Sequence, residues 1–129
     1  MTQALRPHHV AIIASDYQSS KHFYTEVLGL KVIAETYRAA RDSWKLDLEM
    51  AGGVQIELFT FPNAPKRPTR PEAQGLRHLA FAVGDIDAWC ARLAHHGVEV
   101  EPIRVDALTN ARFTFFQDPD GLPLELYET

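Results

Sequence analysis

His9-Val10-Ala11-Ile12-Ile13-Ala14-Ser15-Asp16 returns 69 residues later as His78-Leu79-Ala80-Phe81-Ala82-Val83-Gly84-Asp85. In both stretches a histidine opens a run of strand-forming residues, and an aspartate closes it just before a helical pattern. Two further anchors keep the spacing within one residue. Gly29 corresponds to Gly97 and Glu57 to Glu125, each at an offset of 68. Agreement at four anchors points to an internal duplication. Two copies are too few for a solenoid, which needs at least three repeats.

Each half reads as β-α-β-β-β. Asp16 and Asp85 suit helix N-caps, where a carboxylate oxygen accepts the free amides of the first turn. Ile86, Trp89, Cys90 and Leu93 form one apolar helical stripe, and Ser20, Phe23, Tyr24, Val27 and Leu28 a similar one. Gly29 and Gly97 suit the left-handed position that ends such helices. Strands are expected over Lys31–Tyr37, Trp44–Met50 and Val54–Phe61, then over Glu99–Val105, Arg112–Gln117 and Pro123–Tyr127. Asp118-Pro119-Asp120-Gly121 marks a turn between the last two.

The halves meet in a proline-rich stretch, 62–74. Pro62, Pro65, Pro68 and Pro71 recur every third residue, the polyproline II period, with Lys66, Arg67 and Arg70 between them. A stiff linker between a first module at 5–61 and a second at 75–129 accounts for this. A ligand for a proline-binding domain is the other reading.

Composition narrows the function classes. A chain of 129 residues is one domain by length, and 46% hydrophobic with 23% charged residues is ordinary for a globular fold. Cys90 is the single cysteine, which excludes an intramolecular disulfide and a Cys-rich zinc site. A net charge of −4 argues against nucleic acid as a partner. No apolar run reaches the roughly 18 residues of a membrane span, and no signal peptide is visible. A small cytoplasmic domain is the expectation, and composition alone says nothing about its chemistry.

Four residues sit oddly on apolar strands. Glu57 lies between Ile56 and Leu58, and Glu125 between Leu124 and Leu126. Side chains alternate across a strand, so each glutamate points away from the face that its neighbours pack. His9 and His78 open strands whose next same-face residues are mostly small: Ala11 and Ile13, and Ala80 and Ala82. Each half thus offers one imidazole and one carboxylate, a donor set for a divalent first-row metal. Four protein ligands also leave positions open for water or substrate. His8, His22, His95 and His96 read as structural or exposed, with His8 pointing away from His9. Cys90 reads as a core thiol.

The two β-α-β-β-β halves, the strand starts at His9 and His78, and the ending Asp118-Pro119-Asp120-Gly121-Leu122-Pro123-Leu124-Glu125 resemble the vicinal oxygen chelate superfamily. This group contains glyoxalase I, fosfomycin-resistance proteins, extradiol dioxygenases and bleomycin-resistance proteins. Ala40-Arg41-Asp42-Ser43-Trp44-Lys45 and Gly75-Leu76-Arg77-His78-Leu79-Ala80-Phe81 are similar to segments of small bacterial glyoxalase-I-like members. The resemblance implies an α+β fold of two tandem βαβββ modules forming a half-open, metal-centred β-barrel. It places metal ligands at His9, Glu57, His78 and Glu125. The ion would be Ni²⁺ or Zn²⁺, with Co²⁺, Mn²⁺ and Fe²⁺ as alternatives.

The activity implied is a glyoxalase-I-type lyase or isomerase. Its substrate carries vicinal oxygens, as a 2-oxoaldehyde thiol adduct does, and Glu125 or Glu57 is the catalytic base. The asparagine that helps glyoxalase I hold glutathione has no counterpart in Glu57-Leu58-Phe59-Thr60-Phe61. Arg38, Arg41, Arg77 and Arg112 are candidates for holding an anionic substrate, with Trp44, Phe59, Phe61 and Phe115 as candidate pocket walls. A homodimer is implied, in which His9 and Glu57 of one protomer meet His78 and Glu125 of its partner. A module that sequesters a small molecule is a second reading. An Fe(II) ring-cleaving dioxygenase using His9, His78 and Glu125 is a third.

Overall fold

A computed structural model describes residues 2–129 of the chain. The chain divides into two compact units, Met1–Pro65 and Lys66–Thr129. The expected α+β class and the two tandem βαβββ modules are what the structure shows.

In the first unit β1 (His9–Ala14) is followed by α1 (Tyr17–His22), β2 (Lys31–Arg38), β3 (Ser43–Glu49) and β4 (Gln55–Thr60). They form one open sheet in the order β1-β4-β3-β2, parallel between β1 and β4 and antiparallel elsewhere. Ile12, Ala14, Leu46, Leu48, Ile56 and Leu58 are buried on one face of this sheet. Tyr24, Val27 and Leu28 are buried from the helical side. Each such leucine or isoleucine contributes roughly 1.5–3 kcal/mol by leaving water.

The second unit repeats the plan with β5 (Leu79–Val83), α2 (Ile86–His95), β6 (Arg104–Val105), β7 (Arg112–Gln117) and β8 (Pro123–Glu128). Its sheet order is β5-β8-β7-β6. Ile86, Leu93, Thr114, Phe116, Leu124 and Leu126 form its core.

Both aspartate caps are present. Asp16 Oδ1 accepts from the Ser19 amide at 3.1 Å, and Asp85 Oδ1 from the Ala88 amide at 3.0 Å. Between cap and glycine the halves differ by one residue, which is why the repeat offset falls from 69 to 68. The structure locates the extra residue. Phe23–Val27 is a π-helical turn continuing α1, with the Leu28 amide bonded to the Phe23 carbonyl at 3.0 Å. One inserted residue widens one turn, so the buried stripe stays on one face.

The strand expected over Glu99–Val105 shrinks to Arg104–Val105. Glu101 donates its amide to the Phe115 carbonyl at 3.0 Å, but Pro102 has no N–H to continue the ladder.

The proline-rich stretch is also more than a tether, because Lys66 onward clusters with the second unit. Thr69 Oγ1 donates to the Gly121 carbonyl at 3.0 Å. Arg67 donates to Thr69 Oγ1 and to the carbonyls of Leu76 and Arg77. Among the described residues no helix is long and apolar enough to cross a membrane.

Candidate metal centre

Strand register brings each histidine to its glutamate. In the first unit Ala11 pairs with Glu57 across β1 and β4. His9 lies two residues before Ala11 and so shares its face. The His9 imidazole Nδ1 is 3.3 Å from Glu57 Oε2. In the second unit Ala80 pairs with Glu125 across β5 and β8, and His78 again lies two residues earlier. His78 Nε2 is 3.0 Å from Glu125 Oε1. Both glutamate side chains are largely shielded, 14% and 13% exposed, yet they lie on the face opposite the leucine core.

These separations suit donors that share an ion. Ligand bonds of about 2.1 Å place two donors about 3.0 Å apart at a right angle and about 3.4 Å apart at a tetrahedral one. A plain imidazole–carboxylate hydrogen bond has the same length. The repetition at one register position in two copies, with alanines beside it, is what favours a donor pair. Among the described residues no group of three or more His, Cys, Asp or Glu side chains converges. Each module by itself therefore supplies two donors.

The surroundings of the two pairs diverge. Asp47 lies directly opposite Glu57 on β3, and Phe115 holds the same place opposite Glu125 on β7. Two facing carboxylates repel. Lys45 offsets this, with its ammonium 2.9 Å from Asp47 Oδ1 and 3.9 Å from Glu57 Oε1. In the second unit Phe115 instead presents an edge-to-face contact to the His78 ring, centroids 5.1 Å apart. His78 Nδ1 is buried without a hydrogen-bond partner.

Lys45 and Asp47 did not emerge from sequence reasoning, although the alternation Trp44-Lys45-Leu46-Asp47-Leu48 carries them. His8 differs from expectation. It precedes the first strand residue, so alternation does not govern it, and its Nδ1 lies 2.9 Å from His9 Nδ1.

The candidate substrate residues are spread out. Phe59 pairs with Lys45 and Ile13, which puts it on the Glu57 face, and it stacks with Phe61 at 5.9 Å. Arg38 lies over both rings, and Arg41 over Phe61. Arg77 immediately precedes His78 and lines a cleft in the second unit. Trp44 shares parity with Leu46 and Leu48 and stacks on Tyr17 of α1 at 4.7 Å, on the helix side of the sheet. Arg112 shares parity with Thr114 and Phe116 and is likewise on the helix side. It is 2.8 Å from Asp87 Oδ2 and 3.0 Å from Glu128 Oε1, which locks α2 to β8. Trp44 and Arg112 thus belong to the packing of their modules, away from the glutamate faces. Cys90 is half-buried rather than core, and burial pushes its thiol pKa up.

A βαβββ unit present twice, with an imidazole and a carboxylate at the same register position of each copy, defines a class of two-module proteins. Comparison with known proteins gives that class its name. The glyoxalase/bleomycin resistance protein/dioxygenase superfamily model matches residues 6–126, and the chain belongs to that superfamily. It is 64% identical to the uncharacterized protein YaeR of Escherichia coli K12 over 94% of both chains. It is 51% identical to a glyoxalase family protein of Enterococcus faecalis whose crystal structure superposes with a TM-score of 0.89, covering 95% of this chain and 97% of that one. A 2-epi-5-epi-valiolone epimerase from an Actinomyces species is 31% identical, over 95% of this chain and 79% of the relative. More distant relatives bear the names metallothiol transferase and putative ring-cleaving dioxygenase.

Proposed function

We propose that the chain is a metal-dependent lyase or isomerase of the glyoxalase I type, acting by proton transfer on a small substrate with two vicinal oxygens. The observation that carries this is the imidazole–carboxylate pair at 3.3 Å in one module and 3.0 Å in the other, at equivalent register positions. His9, Glu57, His78 and Glu125 together are the donor set for one divalent ion, Ni²⁺ or Zn²⁺ by its mixed nitrogen and oxygen chemistry. Such an ion would supply Lewis acidity to both substrate oxygens and so would acidify a carbon–hydrogen bond beside them.

The chain's own residues do the rest. Glu125 takes the proton from one carbon and returns it to its neighbour. It is the better placed carboxylate, because its cross-strand neighbour is the aromatic Phe115, whereas Glu57 faces Asp47 and has the Lys45 ammonium 3.9 Å away. Phe115 packs its ring against His78 and so holds that imidazole in position beside the Glu125 carboxylate. Alanines at 11, 80 and 82 leave room above the sheets for the substrate. This reading also places the protein in the cytoplasm as a homodimer, with His9 and Glu57 of one protomer completing the set begun by His78 and Glu125 of the other.

Elemental analysis of protein purified without added metal, followed by a panel of thiol adducts of 2-oxoaldehydes, tests it. About one Ni or Zn per chain together with turnover of a panel member is the expected result. Iron with oxygen consumption would assign a ring-cleaving dioxygenase instead. Tight small-molecule binding with no metal would assign a sequestering protein. Glu125→Gln abolishes turnover with the fold intact, and surviving turnover would remove Glu125 as the base.

A further inference from the structure

Nine arginines serve a chain whose net charge is −4, and four of them, Arg67, Arg70, Arg77 and Arg104, line one cleft of about 240 Å³. The cleft lies wholly within the second unit, between the proline-rich stretch and β7, and His78 and Phe115 are part of its wall. Its architecture is built rather than incidental. Arg67 fastens the stretch to the backbone before His78. Thr69 fastens it to the turn that leads into β8.

Two of the remaining arginines are poorly neutralised. Arg70 and Arg77 share a single carboxylate, Glu72, at 3.8 and 4.0 Å, beyond hydrogen-bonding distance. Arg104 meets Glu101 at 3.3 Å, and its guanidinium plane rests over Phe113 and Phe115 at 5.0 and 5.8 Å. Stacking of that kind fixes the orientation of a guanidinium without consuming its donors. Four guanidiniums against Glu72 and Glu101 leave the cleft two positive charges in excess.

We infer that this cleft binds an oxyanion, carboxylate or phosphate, and that it is the subsite for an anionic group on the substrate. The second half of the inference rests on the proposed metal centre, because His78 belongs to both. Guanidinium forks pair with both oxyanions through two parallel N–H···O bonds. A volume of about 240 Å³ lies below the ~300–1,000 Å³ of ordinary ligand pockets, so the group is small. The substrate class is then one whose vicinal oxygens are joined to a small anionic group.

Calorimetric titration of inorganic phosphate, and separately of acetate, into the full-length chain tests this at low ionic strength, after chelator treatment. Saturable binding of one anion per chain is expected, and the tighter of the two identifies the source. Arg77→Gln combined with Arg104→Gln should weaken binding at least tenfold. Both side chains are well exposed, so the fold is retained. Glu72→Gln, which removes the competing carboxylate, should strengthen binding several-fold, a change that a purely structural role of Glu72 would not produce. Arg92→Gln on α2 controls for net charge and should leave binding unaltered. Absence of saturable binding by either anion overturns the inference. Equal weakening by Arg92→Gln and by the cleft variants overturns it too. Phosphate binding that persists while the metal analysis fails would refute the metal centre and leave the cleft standing.

Discussion

Leu124 and Glu125 are neighbours on β8, yet substitution of each should fail in a different way. Leu124 is fully buried against the core of the second unit, and Glu125 is on the opposite face, with 13% of its side chain exposed. Leu124→Ala removes three buried carbons and leaves a cavity between strands that cannot fully close. Such substitutions cost about 2–5 kcal/mol. For a domain of this size, with roughly 3–5 °C lost per kcal/mol, about 3 kcal/mol lowers the melting temperature by roughly 10–15 °C. Glu125→Gln keeps the volume and an oxygen beside His78, so its melting temperature should move by no more than about 3 °C. It replaces a charged donor with a neutral one, so divalent-metal affinity should fall at least tenfold, the lower bound even for groups one step removed from a metal. Circular dichroism melts paired with competitive metal titration measure both quantities on the same samples. The reasoning is refuted if Leu124→Ala melts like the parent, or if Glu125→Gln lowers the melting temperature as far as Leu124→Ala does.

Three further expectations concern other parts of the molecule. If donor pairs are shared between protomers, inactive His9→Ala and inactive Glu125→Gln chains should regain activity when mixed and allowed to exchange, since one of the two sites in each mixed dimer is intact. Persistent inactivity after verified exchange would place all four donors in one chain. Glu128 has its carboxyl pKa lowered by hydrogen bonds from Arg112 and then from the Ile86 amide. Its contribution is therefore present above its ordinary value of 4.5 and is lost as pH falls through the lowered one. Arg112→Gln should melt below the parent at pH 7, and the gap should narrow below about pH 4.5, where a constant gap would contradict the pairing. Burial, and then the nearby Asp87 charge, raise the Cys90 pKa, so the thiol should react with a disulfide reagent at pH 8 more slowly than free cysteine. Arg112→Gln, which removes the opposing cation, should slow it further.

Where chain chemistry is local, the sequence carried it plainly. Asp16 and Asp85 cap helices because a short carboxylate before a helical stripe has few other uses. Glu57 and Glu125 stand out because strand parity separates them from their leucine neighbours. Parity would also have assigned Trp44 to the Leu46 and Leu48 face, and Arg112 to the Thr114 and Phe116 face. Arginine and tryptophan suggest a ligand contact by residue type, and strand position overrides that suggestion. The π turn at Phe23–Val27 shows in the sequence only as a one-residue slip in the repeat offset. Pro102 was the overlooked signal against a strand running from Glu99. The attachment of the proline-rich stretch depends on Thr69 and Gly121, 52 residues apart, and no local pattern reports such a bond.

The alternation along β4 and β8 has a consequence for how such a protein can change over generations. Every second residue holds the molecule together, and the residues between them form the opposite face, which carries the proposed site. A substitution at an even position such as Leu58 or Leu126 is tested by folding, and one at an odd position such as Phe59 or Glu125 leaves the packed face untouched. The two kinds of selection act on interleaved but separate sets of sites. The duplicated halves have already exploited this freedom. One copy places lysine and aspartate where the other places two phenylalanines, Phe113 and Phe115, on frames of the same strand order. A scaffold so divided can drift from one reaction to another without passing through an unfolded ancestor.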